Sequence, residues 1–168
     1  DQGALYCLEL DHSLSRKVSP ATISNGIVWS HDAHTMYYID SGTNNVRAWD
    51  YDLDTGDIRN ERVVIDNKTE GVFDGMTIDE EGQLWIAVPF DFSVRRYDPN
   101  NGALLETLRL PVSLPSACAF GGPDLDDLYI TSIRPGQGKE PWDHEPLAGS
   151  LLRVKMDVRG VPAFKYGG

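Results

Sequence analysis

Three short stretches carry oxygen-bearing side chains that could act together: "ISNGIVWS" holds Asn25, "VFDGMTI" holds Asp74 and "LPSACAF" holds Ser116. An amide, a carboxylate and a hydroxyl are donors of the kind that hard divalent cations such as Ca²⁺ or Mg²⁺ take. Each stands just before an alternating apolar run: Ile27 and Trp29, Met76 and Ile78, Cys118 and Phe120. A period of two is that of a strand with one face buried. A carboxylate at the entrance of such a strand is costly unless it is paired or holds a metal. "NG" and "DG" are also common turn dipeptides, so the local sequence leaves a turn open beside a cation site. The wider pattern of the chain favours the cation.

That pattern is a repeat. After each opening strand comes a turn, "SHDAHT", "DEEGQ" or "GGPDLDD", then a second strand, "MYYID", "LWIAV" or "LYITS". A third strand reads "VRAWDY", "VRRYD" or "LLRVK", followed by a Gly-bearing hairpin turn, "DLDTG", "PNNG" or "DVRG", and an outer fourth strand. Four antiparallel strands recurring at roughly 40–50 residues mark a β-propeller blade. The spacing predicts blades over 21–70, 71–113 and 114–168, with almost no helix. Residues 1–20, "ALYCLEL" and "LSRKV", fit only the outer strands of an incomplete blade. An all-β chain of about three and a half blades is short of the usual ring of roughly 4–8. Preceding blades or a second copy are therefore expected to complete it. First strands line a propeller's channel, so Asn25, Asp74 and Ser116 should converge there.

The remaining signals are weaker. A net charge of −11 with scattered Lys and Arg argues against nucleic-acid binding. No apolar run approaches the roughly 20 residues of a membrane span. The opening "DQGALYCLEL" lacks a signal-peptide pattern, which predicts a cytoplasmic protein; it also lacks an initiator Met. Cys7 and Cys118 each lie inside an apolar run and read as free, buried thiols. "DYDLDTGDIRNE" (50–61) has acids at EF-hand spacing, but Gly56 falls one place late, so a hairpin turn is expected. His31 and His34 read as solvated turn residues, and "NKT" (67–69) as a chance sequon match. Trp142 lies in a long loop that could cap the channel mouth.

The phrases "ISNGIVWS", "FDGMTIDEEGQLWIA", "VRRYDPNNGALLETLRLP", "PSACAFGG" and "AGSLLRV…GVP…YGG" resemble the regucalcin (senescence marker protein)/gluconolactonase family, over its C-terminal part. The resemblance implies a six-bladed propeller, one divalent ion in the channel (Ca favoured over Zn, Mg or Mn) and hydrolysis of sugar lactones. It places the family's metal ligands on Asn25 and Asp74 and its proposed general base on Asp74. The family's glutamate ligand and its main substrate-contacting Arg, Asn and Glu belong to earlier blades, whose motifs are not present here. A calcium-binding regulatory protein without important catalysis, or an inactive propeller scaffold, are the other functions expected.

Overall fold

The structure is a computed structural model and describes residues 3–9, 11–134 and 144–165. Its regular elements are all strands, in four separate antiparallel sheets. The first pairs β1 (Gly3–Leu8) with β2 (Leu14–Ala21). The second runs β3 (Ser24–Trp29), β4 (Thr35–Asp40), β5 (Asn45–Tyr51), β6 (Ile58–Asp66). The third runs β7 (Met76–Ile78), β8 (Leu84–Val88), β9 (Ser93–Asp98), β10 (Ala103–Arg109). The fourth holds β11 (Pro115–Gly121), β12 (Asp127–Ser132) and β13 (Leu152–Lys155). Each sheet is a propeller blade, and β3, β7 and β11 are the innermost strands of successive blades.

Second strands are buried on both faces because a blade lies on either side. All five residues of β8, LWIAV, are buried. One core cluster joins Val28 and Ile39 to Met76, Ile78 and Leu84, cementing the second sheet to the third. Another joins Trp85 and Val94 to Cys118, Leu128 and Ile130, cementing the third to the fourth. The inner strands use both faces too, which refines the expected one-sided pattern. Met76, Ile78 and Cys118 pack on the preceding blade and are 8%, 5% and 6% exposed. Ile27, their counterpart in β3, is 36% exposed, because the two-stranded sheet before it has no inner strands to cover it. Trp29 beside it is partly buried, with Nε1 enclosed and unpartnered.

Two of the three Gly-bearing segments, "DLDTG" and "PNNG", close hairpins as expected, while "DVRG" does not. Gly56 takes φ 66° and its N–H donates to the Asp52 carbonyl between β5 and β6. Within residues 50–61, Asp50 binds Asn60 and Arg62, so those acids serve the turn and the sheet rather than an EF-hand. Asn67 of the sequon is engaged by Asn44 and the Gly71 carbonyl.

The last blade departs from expectation. No fourth strand forms on β13 among the described residues; the segment after Lys155 crosses to the third sheet. Gly160 bridges Asp79, the Glu80 N–H donates to the Arg159 carbonyl at 2.8 Å, and Val161 packs on the first core. Pro162 has no N–H for a ladder, and a Cβ at Gly160 would lie 2.1 Å from Phe120 Cβ, so this segment suits close crossing rather than pairing.

Cys7 and Cys118 are unpaired thiols. Cys118 is buried, hydrogen-bonds the Trp85 carbonyl, and burial pushes its pKa up to about 12. Cys7 is partly exposed. A chromogenic disulfide reagent should therefore modify Cys7 in the folded chain and Cys118 only in denaturant. Equal rates for the two thiols would contradict this packing.

Candidate functional site

The three inner strands meet at their entrances. The Gly26 N–H donates to the Asp74 carbonyl at 3.1 Å, and the Gly75 N–H to the Ser116 carbonyl at 2.8 Å. Within the third blade, the Asp74 N–H donates to Ala87 and the Ala87 N–H to Gly75, at 3.0 and 2.9 Å. Asn25, Asp74 and Ser116 thus sit in one row of backbone bonds running from blade to blade.

This geometry removes the turn reading of "NG" and "DG". Neither glycine has a positive φ. They are required for close approach instead. A Cβ at Gly26 would lie 2.8 Å from Met76 N and 2.9 Å from the Asp74 carbonyl oxygen. One at Gly75 would lie 2.5 Å from Ala117 Cβ and 2.7 Å from its Cα. The glycines let the inner strands touch, and the residue before each is carried to the shared end.

Asp74 is half-buried, and desolvation pushes its carboxyl above the usual value. Hydrogen bonds from the Asn25 side chain and the Gly75 N–H pull the other way, with less effect. No Lys or Arg pairs with Asp74 among the described salt bridges. Asn25 Nδ2 also donates to Ser41 Oγ at 2.9 Å, and Ser41 Oγ donates to the Phe73 carbonyl at 2.7 Å. Ser41 therefore orients the amide. Ser116 Oγ lies 2.8 Å from Thr131 Oγ1, so its hydroxyl is shared with its own blade. Neither Ser41 nor Thr131 was anticipated. Their signal is one of register: each lies at the end of a second strand, where β3↔β4 and β11↔β12 pairing brings it beside a first-strand entrance.

The donor set fits part of a divalent site. A desolvated carboxylate beside an amide, with no counter-cation among the described residues, is the arrangement a hard cation relieves. Among the described residues no three His, Cys, Asp or Glu side chains gather to hold a metal, which leaves Asn25 and Asp74 as the candidate donors. His34 stays in its turn, whereas His31 is less free than expected: its Nε2 donates to the Asp79 carbonyl of the next blade at 2.7 Å. Asp79 is itself structural, fully buried against Trp85 Nε1 and Arg96. Trp142 lies outside the described residues. No helix among them is long and apolar enough to cross a membrane.

Comparison with known proteins agrees with this architecture. The family model described as SMP-30/Gluconolactonase/LRE-like region matches residues 1–134. Regucalcin of Danio rerio is 44% identical over 168 residues, covering 99% of this chain and 57% of the relative. A solved luciferin-regenerating enzyme superposes with TM-score 0.87 at 37% identity, over 94% of this chain and 53% of that one. A calcium-binding protein, regucalcin, from Agrobacterium tumefaciens gives TM-score 0.86 at 27% identity, over 94% and 54%. The chain spans a little over half the length of the relatives it matches. It belongs to the SMP-30/gluconolactonase/LRE-like family.

Proposed function

We propose that this chain carries half of a metal-dependent lactonase site, with Asp74 as general base. The observation that carries the reading is the half-buried, desolvated Asp74 carboxylate, without a cationic partner among the described residues, placed beside Asn25 by the Gly26–Asp74 backbone bond at the meeting of the inner strands. Asn25 and Asp74 would hold a divalent ion, Ca²⁺ favoured, which when bound supplies Lewis-acid polarisation of a carbonyl. Asp74 accepts the proton of the attacking water as its oxygen bonds the lactone carbonyl carbon. The ring C–O bond then breaks, the alkoxide takes a proton, and a hydroxy acid leaves. Ser41 keeps the Asn25 amide in place and does no chemistry.

The other side of the ring has to be supplied. Exposed Ile27 and the two-stranded first sheet mark the place of further inner strands. We propose that preceding blades, or a second copy, complete the channel and contribute the remaining ligands. Free Cys7 and Cys118 accord with a cytoplasmic setting.

The test is hydrolysis of gluconolactone by the purified protein, before and after chelation. Activity lost to a chelator and restored by a divalent ion supports the reading. Stoichiometric calcium binding without turnover would favour the regulatory role instead, consistent with the calcium-binding description of the Agrobacterium relative. Neither turnover nor binding would mark an inactive scaffold.

A further inference from the structure

The loop joining β8 to β9 holds strain without packing gain. It reads "PFDF", and both phenylalanines adopt positive φ, 70° at Phe90 and 54° at Phe92. Bulky side chains avoid that region. Asp91 between them pins the loop. Its carboxylate accepts from Ser93 Oγ at 2.6 Å and pairs with buried Arg95 at 2.7 Å, and the Arg109 guanidinium donates to its carbonyl at 2.7 Å. The Leu110 N–H donates to the Phe92 carbonyl at 2.8 Å. Yet the rings do not fill the core: Phe90 is 58% exposed and Phe92 42%. Backbone strain maintained while its side chains remain in solvent clusters at functional sites.

The loop adjoins the Asp74 site. The Pro89 carbonyl accepts from the Val72 N–H at 3.1 Å, two residues before Asp74. The Phe90 N–H donates to Ser113 at 2.7 Å, three residues before Ser116. Other blades present exposed apolar residues at the same end. Ile23, 56% exposed, precedes Asn25, and Ile133, 46% exposed, follows β12 with its N–H on the Leu114 carbonyl. A polar centre is thereby edged with large apolar side chains.

Building on the lactonase reading, we propose that Phe90 and Phe92 form an apolar rim that selects lactones bearing an alkyl or aryl substituent over plain polyhydroxy lactones. Each methylene buried against the rim favours binding by about fourfold. A polyhydroxy ring has no such chain to bury.

The experiment uses the Phe90→Gly/Phe92→Gly double variant of the purified protein. It compares kcat/KM for a hexyl-substituted lactone and for gluconolactone, and calorimetric affinity for the hexyl-substituted, non-hydrolysable lactam. Expected are a fall of about tenfold or more for both hexyl ligands, little change for gluconolactone, and a melting temperature that does not drop, because glycine accepts positive φ freely. Equal loss for both lactones together with a lower melting temperature would show a structural role and overturn the rim. Unchanged selectivity in a folded variant would also overturn it. Should wild type hydrolyse neither lactone, the lactam still decides: binding by wild type and not by the variant keeps the rim while the lactonase reading falls, and equal affinity for both ends the proposal.

Discussion

Changing Asp74 to Asn should lower lactone turnover by about 10²–10⁴-fold, the usual contribution of a general base, while raising the melting temperature of the metal-free protein at neutral pH. The two effects share one cause. Desolvation raises the Asp74 pKa in the folded chain above its ordinary 3.8, so the native state holds this proton more tightly than the unfolded state does. The stability linked to that proton is fully present below the unfolded value and is lost as pH rises through the raised native one. At pH 7 the native chain therefore carries an ionised carboxylate against its preference. Asparagine removes that charge and keeps an oxygen acceptor beside Asn25. Melting curves of parent and variant should converge near pH 3 and separate above it. Full hydrolysis by the variant would remove Asp74 from the mechanism, and a less stable variant at pH 7 would contradict its electrostatics.

The second large effect is expected at a residue with no chemistry. Gly75→Ala inserts a methyl 2.5 Å from Ala117 Cβ, 2.7 Å from Ala117 Cα and 2.8 Å from the Ser116 carbonyl oxygen. No flexible side-chain end can swing aside, so the inner strands of two blades must separate. Overpacking of this kind costs about 1–3 kcal/mol or more. The separation also lengthens the Gly75–Ser116 bond and displaces Asp74 next to it. Gly82 provides the control: its φ is 79° and nothing lies within 4 Å of an added Cβ. Gly82→Ala meets only the left-handed backbone penalty, about 1–2 kcal/mol. Urea unfolding should place the midpoint of Gly75→Ala below that of Gly82→Ala, with activity impaired only in the former. The reverse order would mean that the blades are not packed backbone to backbone at this level.

Much of the fold is legible because a blade repeats its own pattern. "LWIAV" announces β8 residue for residue, since a strand with blades on both faces is continuously apolar. The shared position of Asn25, Asp74 and Ser116 follows from the same register. Other features depend on tertiary contacts that a repeat cannot encode. The path of residues 156–165 is set by Gly160 against Phe120 and by the bridge to Asp79, across different blades. Ser41 orients Asn25 through a single hydroxyl, and serine at a strand end carries no distinctive pattern. The exposure of Ile27 reflects neighbouring strands rather than its own alternation.

The glycines at the blade junctions have a consequence for how such a site can diversify. Where Gly26 meets Asp74 and Gly75 meets Ser116, adjacent inner strands are already at backbone contact. The aperture is consequently a main-chain dimension, and no exchange of side chains there can narrow the spacing or widen it without breaking the seam. Adaptation to new molecules is thereby displaced outward, to surface connections such as residues 89–92, which can change in sequence while the calibre of the ring stays constant.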